Sequence, residues 1–330
     1  MHSHVPSAER LAADAAIAVV IPSYKVTRHI MGVLAQMPAC VRRVYVVDDA
    51  CPEGSGQLVQ QQCQDPRVQV IFHEQNQGVG GAVMTGYRRA LEEGMEVVVK
   101  VDGDGQMPPA LIPRFVKPIL TGRADYTKGN RFYRPQTLHV MPKGRLLGNL
   151  CLSFFTKISS GYWPNMDPAN GYTAISAQAL AALPLEKIAR RYFFETDMLF
   201  RLGTLRAVVY DVPMDAVYGD EVSTFNASRL LPSFLASSLN RTFKRYIYNY
   251  WVRDFNLGSI YSLFGVLLAL FGSVYGAWKW MLSAATDVPA TSGTVMLAGM
   301  SVMIGVQLLI AFIQFDVSNV PTRPISDALD

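Results

Sequence analysis

Four apolar runs, Ile17 to Ile21, Val44 to Val47, Val68 to Phe72 and Val97 to Val101, have the length and composition of buried strands. Each ends in polar or glycine-rich chain: Pro22-Ser23-Tyr24-Lys25, Asp48-Asp49, Asn76-Gln77-Gly78-Val79-Gly80-Gly81-Ala82, and Asp102-Gly103-Asp104-Gly105-Gln106. Between the third and fourth runs, Ala82 to Glu93 reads as a helix. Strands alternating with helices predict an α/β domain, whose ligands bind beyond the carboxyl ends of the strands.

The pattern changes towards the carboxyl end. Leu257 to Trp278 and Gly293 to Phe315 contain no charged residue. Each is long enough to cross a hydrocarbon core of ~30 Å as a helix. A buried pair of core helices is the alternative, but soluble helices rarely stay uncharged on every face for so long. We therefore expect a two-helix transmembrane hairpin, with a short loop from Lys279 to Ser292. Just before it, Leu230 to Asn256 interleaves Phe234, Phe243, Tyr246, Tyr248, Tyr250, Trp251 and Phe255 with Arg241, Lys244, Arg245 and Arg253. Such a segment suits an amphipathic stretch at headgroup level, and its cations place it on the cytoplasmic side. The expected organisation is a flexible tail over 1–14, an α/β domain over 15–225, juxtamembrane helices over 226–256, a hairpin over 257–315 and a cytoplasmic tail over 316–330.

Composition narrows the partners. Half of the residues are hydrophobic, and a net charge of +4 with pI near 8.8 is mild. The basic residues are not massed into a nucleic-acid patch, so a membrane surface is the expected anionic partner. No secretory signal is expected, because the apolar run at Ala15 to Ile21 is short and preceded by Asp14. Cys40, Cys51, Cys63 and Cys151 lack metal or redox spacing and read as reduced thiols. Asn226-Ala227-Ser228 and Asn240-Arg241-Thr242 match the glycosylation acceptor pattern, which a cytoplasmic placement leaves unused.

The candidate chemistry starts from Asp102, Asp104 and Gln106 at one strand end. Hard cations such as Mg²⁺ and Mn²⁺ take oxygen ligands and are commonly held by one or two carboxylates plus substrate phosphates. A metal-bound nucleoside diphosphate is the natural ligand for such a turn. Gly78-Val79-Gly80 has one feature of a dinucleotide fingerprint, but Val83 stands at the third glycine position and the motif follows the third strand, which argues against NAD.

Taken in order, Pro22-Ser23-Tyr24, Val47-Asp48-Asp49, the Asn76 to Ala82 stretch and Asp102 to Gln106 resemble the donor-binding half of family 2 glycosyltransferases with the GT-A fold. Gly129-Asn130-Arg131, Asp167-Pro168 with Asn170-Gly171-Tyr172, and Phe194-Glu195-Thr196-Asp197 resemble the polyprenyl-phosphate branch, which includes dolichol-phosphate mannose synthases and undecaprenyl-phosphate sugar transferases. The resemblance covers roughly Ile17 to Ser223. It implies a transferase that moves a single sugar with inversion from a nucleotide-sugar donor to a polyprenyl phosphate, on the cytoplasmic face of a bacterial inner membrane. A UDP-sugar is favoured over GDP-mannose as donor.

The resemblance also implies roles for residues. Asp102 and Asp104, with Gln106, hold Mg²⁺ or Mn²⁺; Pro22, Tyr24, Lys25, Asp48, Gly78, Gly80, Asp102 and Gly103 line the donor site. Arg131, Arg145 and Asn149 meet the lipid phosphate, and Asp167, Glu195 and Asp197 are the catalytic carboxylates. Asp167 is expected nearest the reacting centre, whereas Asp49 reads as a turn or cap residue. One departure stands out. Relatives carry R-x-x-G-x-S-K before the membrane segment, and Tyr218 to Thr224 lacks the two basic residues, for which Lys25 or Arg229 is a substitute. The alternatives are a processive polysaccharide synthase, which normally shows QxxRW and more spans, and a non-catalytic membrane-anchored sensor or scaffold. Whether the chain forms a homo-oligomer is left open.

Overall fold

The computed structural model describes residues 8–133, 143–215 and 227–329. The strands are β1 (Ile17–Ser23), β2 (Val41–Asp48), β3 (Val68–Phe72), β4 (Val97–Lys100), β5 (Tyr126–Asn130), β6 (Thr173–Ser176) and β7 (Val209–Pro213). The helices are α1 (Ala8–Asp14), α2 (Ile30–Ala35), α3 (Ser55–Gln62), α4 (Val79–Glu92), α5 (Ile112–Leu120), α6 (Lys143–Ser160), α7 (Ala177–Ala182), α8 (Phe194–Leu205), α9 (Ala227–Ile247), α10 (Leu257–Thr286), α11 (Ser292–Ser318) and α12 (Ser326–Leu329). The chain divides into two units. One runs to Thr242 and resumes at Pro321, and the other is Phe243–Val320.

In the first unit the strands form one sheet of order β3-β2-β1-β4-β6-β5-β7. Neighbours are parallel except at β6, which runs antiparallel to β4 and β5. The buried parts of β1, β2 and β4 are mostly Val and Ile because both faces of these central strands are covered, while β2 opens on exposed Arg42 and Arg43. Ile112, Phe115, Val116 and Ile119 fall on one face of α5 and complete the core beneath β4 and β6. The expected flexible start does not hold over its second half: the alanine-rich α1 is helical and buries Ala12 in the same core. The segment after the hairpin also belongs to this unit. Pro324 is buried and the Ile325 amide donates to Asp125 Oδ1 at 2.9 Å.

The second unit is built on α10 and α11. Gly258, Gly265 and Gly272 recur every seven residues on α10, and Gly305 answers them on α11. A Cβ at Gly265 would lie 3.1 Å from the Leu309 amide nitrogen, and one at Gly305 only 2.4 Å from that of Ala269. Small residues let the two backbones approach, as in helix pairs packed within lipid. Phe264, Leu267, Phe271, Trp278, Met296, Met300 and Met303 stay exposed, an apolar surface that suits hydrocarbon. Both helices outrun the uncharged stretches. Lys279 lies inside α10 with its ammonium 4.6 Å from the Trp278 ring centroid, a cation at the end of a span. Asp316 lies inside α11, where the Arg245 fork donates to it at 2.7 and 2.9 Å and the Tyr250 hydroxyl at 2.5 Å. The loop expected over 279–292 therefore contracts to 287–291, and the tail begins after Ser318.

Candidate active site

β2 and β4 flank β1, so the strand order reverses direction around β1 and opens a crevice at its carboxyl end. The chain after β1, β2 and β4 meets there, bringing together Pro22 to Lys25, Asp48 to Ala50 and Asp102 to Gln106. Lys25 (φ 59°) and Ala50 (φ 53°) take left-handed backbone without being glycine, as does Asp167 (φ 58°). Strained backbone of this kind concentrates at functional sites.

Within the crevice the aspartates divide differently from expectation. Asp48 is buried and spends its carboxylate on protein: Oδ1 accepts from the Cys51 amide at 2.8 Å and Oδ2 from the Gly56 amide at 2.6 Å. It caps the start of α3, so the carboxylate expected to line the donor site is committed to backbone amides instead. Asp49 accepts from the amides of Gln77 and Gly78 at 2.8 and 2.7 Å and pairs with His73 Nδ1 at 2.8 Å, which holds the loop after β3. Gly78 and Gly80 are needed for close approach, but by protein backbone. A Cβ at either would meet Arg190 O at 2.5 Å or Ala189 O at 2.4 Å, respectively, and the Gly80 amide donates to Arg190 O. Tyr24 and Lys25 are exposed at the mouth of the crevice, Pro22 is partly buried, and Gly103 is buried against Val26 and Ile21.

The residue that sequence reasoning passed over is Lys100. It sits inside an apolar strand and is 1% exposed, and its ammonium lies 2.8 Å from Asp102 Oδ1, 3.2 Å from Gly171 O and 3.7 Å from Glu195 Oε1. Burial opposes its charge, yet Asp102 and Glu195 outweigh that and hold its pKa above the ordinary value. Burial also pushes the Glu195 carboxyl up, with Lys100 only partly offsetting it. Gly171 is required here: its Cβ would fall 2.4 Å from the ammonium and 2.7 Å from Asp102 Oδ2. Asp102 and Glu195 thus share one cation, although β4 and α8 are far apart in sequence. The only signal for it was a lysine in a run of valines.

On the neighbouring strands, Arg131 follows β5 and grips Asp167 with two parallel bonds of 2.7 Å, while its amide donates to the same carboxylate at 3.1 Å. Burial raises the Asp167 pKa, but the Arg131 fork prevails and holds the carboxyl below the usual range. Asp167 is 0% exposed. It is a positioner of Arg131, not an open carboxylate facing a sugar. Asp211 fastens the same loop by accepting from Asn130, Asn165 and the Met166 amide, beside buried Lys128.

Glu195 and Asp197 separate completely. Glu195 turns to Lys100, whereas Asp197 is 0% exposed and accepts from the Ala189 amide, Arg201 and Arg241 at 2.8, 3.2 and 2.6 Å. Asp197 therefore joins α8 to α9 and leaves the catalytic set. Asn149 lies on α6 and is partly buried, while the side chain of Arg145 on the same helix, the side chain of Arg229 and the Tyr218 to Thr224 segment lie outside the described residues.

Asp102 is 29% exposed, and Asp104 Oδ1 accepts from the Gln106 amide at 2.9 Å. Among the described residues no three His, Cys, Asp or Glu side chains converge as metal ligands. Two carboxylates with a hard oxygen donor set fit a divalent cation that takes its remaining ligands from a diphosphate. Gln106 is bound to this turn through its backbone.

Comparison with known proteins supports the same assignment of fold. The sequence profile of glycosyl transferase family 2 matches residues 18–183. The chain is 30% identical over 220 residues to the UDP-N-acetylglucosamine–dolichyl-phosphate N-acetylglucosaminyltransferase of Methanococcus voltae, covering 62% of this chain and 87% of that one. It is 32% identical over 206 residues to the undecaprenyl-phosphate mannosyltransferase of Micrococcus luteus, covering 61% and 83%. Among solved structures, glucosyl-3-phosphoglycerate synthase of Mycobacterium tuberculosis, in complex with Mn²⁺, UDP and glucosyl-3-phosphoglycerate, superposes with a TM-score of 0.54 at 19% identity, over 73% of this chain and 85% of that one. That likeness establishes a GT-A-like fold.

Proposed function

The chain belongs to glycosyl transferase family 2, and from that membership we propose that it moves a single sugar, with inversion, from a nucleotide-sugar donor to a polyprenyl phosphate at a membrane. The observation that carries the reading is the join of two features in one chain. A carboxylate-bearing crevice at the sheet's switch point is followed by two helices long and apolar enough to cross a membrane. Polyprenyl-phosphate acceptors named for the relatives from Methanococcus and Micrococcus fit that combination. UDP-sugars remain favoured as donors over GDP-mannose.

In this reading Asp102 and Asp104 hold Mg²⁺ or Mn²⁺, which offsets the negative charge gained by the departing nucleoside diphosphate. Pro22, Tyr24 and Lys25 wall the donor site from the mouth of the crevice. Arg131, fixed by Asp167, directs cationic charge towards the acceptor phosphate, and Arg145 and Asn149 of α6 add to that site. Glu195 is the carboxylate with access to the reacting centre, since it keeps 21% exposure while Asp167 and Asp197 keep none. A phosphate acceptor is already anionic near neutral pH, so a strong general base is not required. Glu195 orients the acceptor or offsets positive charge developing at the anomeric carbon.

The cations before α10 favour a catalytic domain on the cytoplasmic face, and the return of the tail to the first unit keeps both ends of the hairpin on that side; we assign the protein to a bacterial inner membrane. The test is transfer of radiolabelled sugar from a panel of UDP- and GDP-sugars to polyprenyl phosphate by the full chain in membranes. We expect one donor to yield a single-sugar lipid, chelation to abolish the product and Mg²⁺ or Mn²⁺ to restore it. A polymeric product would favour a processive synthase. Full activity of the Asp102→Ala, Asp104→Ala double variant would overturn the donor site.

A further inference from the structure

Lys100 raises a question that the reaction itself does not answer, because a buried cation beside a metal carboxylate opposes metal binding. Without it, Asp102 and Glu195 would be two carboxylates left uncompensated beside the donor turn. Such a pair concentrates negative charge that attracts a divalent ion before any diphosphate arrives. With it, one oxygen of Asp102 is engaged at 2.8 Å and Glu195 is drawn to the same ammonium at 3.7 Å. The ammonium has three donors and no acceptor, and three oxygens from three elements surround it: Asp102 after β4, Gly171 O before β6 and Glu195 at the start of α8. Gly171 supplies both the acceptor and, by lacking a Cβ, the space. The lysine is thus held in place by the fold and cannot swing to solvent as a surface lysine would.

We propose that Lys100 is a positioning residue that keeps the protein from binding a divalent cation by itself, so that the cation is retained only together with the donor diphosphate. Its fixed positive charge neutralises Asp102 in the free site and repels a second cation. A nucleoside diphosphate adds negative charge and oxygen ligands, and the balance then turns in favour of the metal. The same ammonium keeps Glu195 out of the metal's coordination shell and leaves it for the sugar or acceptor. This inference rests on the donor site proposed above.

The test measures bound Mn²⁺ by electron paramagnetic resonance on the full chain in detergent, with and without UDP. The wild type is expected to bind Mn²⁺ weakly alone and at least ~10-fold more tightly with UDP. Lys100→Met should bind Mn²⁺ at least ~10-fold more tightly without UDP, lose most of the UDP enhancement and transfer sugar more slowly, in the range of perturbations to groups behind a metal ligand. Lys100→Arg, which keeps the charge, should retain the UDP enhancement. Lys100→Gln keeps hydrogen-bond donors for Asp102 and Gly171, and serves if the methionine variant fails to fold. Unchanged or weaker UDP-free Mn²⁺ binding in a folded neutral variant would overturn the proposal, since a merely structural lysine weakens the site when lost. Absence of any UDP-dependent Mn²⁺ binding in the wild type would instead overturn the donor site itself.

Discussion

At the scale of single residues the Arg131–Asp167 pair carries the clearest energetic consequence. Both partners are largely buried, and breaking such a pair costs about 3–5 kcal/mol because the surviving charge is left uncompensated. Asp167→Asn should therefore lower the melting temperature, and it should weaken use of the lipid acceptor more than UDP binding. If Asp167 acts only through Arg131, the double variant with Arg131→Ala should be no worse in acceptor kinetics than Arg131→Ala alone. Additive losses would give Asp167 a separate part in the chemistry. The pH dependence has a fixed sign. The Asp167 pKa is depressed in the folded state, so its stabilisation is complete above the unfolded carboxylate value of about 3.9 and is lost as pH falls through the folded value. Melting temperatures below pH ~4 should fall more steeply for the wild type than for Asp167→Asn.

At the scale of elements, Asp197 ties α8 to α9 through Arg241 only two residues from Glu195. Arg241→Ala removes one charge-assisted bond, worth about 1.5–3 kcal/mol. Melting temperature and turnover should both drop with UDP affinity retained, because the start of α8 loses its anchor; unchanged turnover would confine Arg241 to stability. The elements were largely legible in the sequence, and the roles of their polar residues less so. β1, β2 and β4 were readable because strands covered on both faces must be written in Val and Ile. Lys100 was hidden by the same rule, since a charge inside such a run has no pattern of its own until the fold brings Glu195 and Gly171 against it. Asp48 and Asp197 were misassigned because a carboxylate that caps backbone amides and one that faces a ligand occupy similar strand-end and helix-start positions. The ends of α10 and α11 were misjudged because Lys279 lies over Trp278 and Asp316 is paired with Arg245, so neither charge stops its helix.

At the scale of the whole molecule, the hairpin and the tail set the topology. Gly305→Leu would drive a side chain into the Ala269 backbone, where a Cβ already meets nitrogen at 2.4 Å, and should lower the detergent stability of the hairpin while UDP binding persists. Connectivity constrains the topology without choosing the side. Pro321 onward returns to the unit that holds the sheet, with Ile325 bonded to Asp125, so if α10 and α11 cross a membrane they leave and re-enter on one side. Cys151 on α6 is exposed and Val288 is exposed in the loop between α10 and α11, which provides a reporter for each side. In intact cells an impermeant thiol reagent should label Val288→Cys and leave Cys151 and Thr322→Cys unlabelled, and permeabilisation should expose both. Labelling of Thr322→Cys but not Cys151 in intact cells would require an odd number of crossings and would break the docking of the tail. Labelling of Cys151 and Thr322→Cys together, with Val288→Cys protected, would keep the hairpin and invert it, placing the sugar-transfer site away from the cytoplasmic supply of nucleotide sugars.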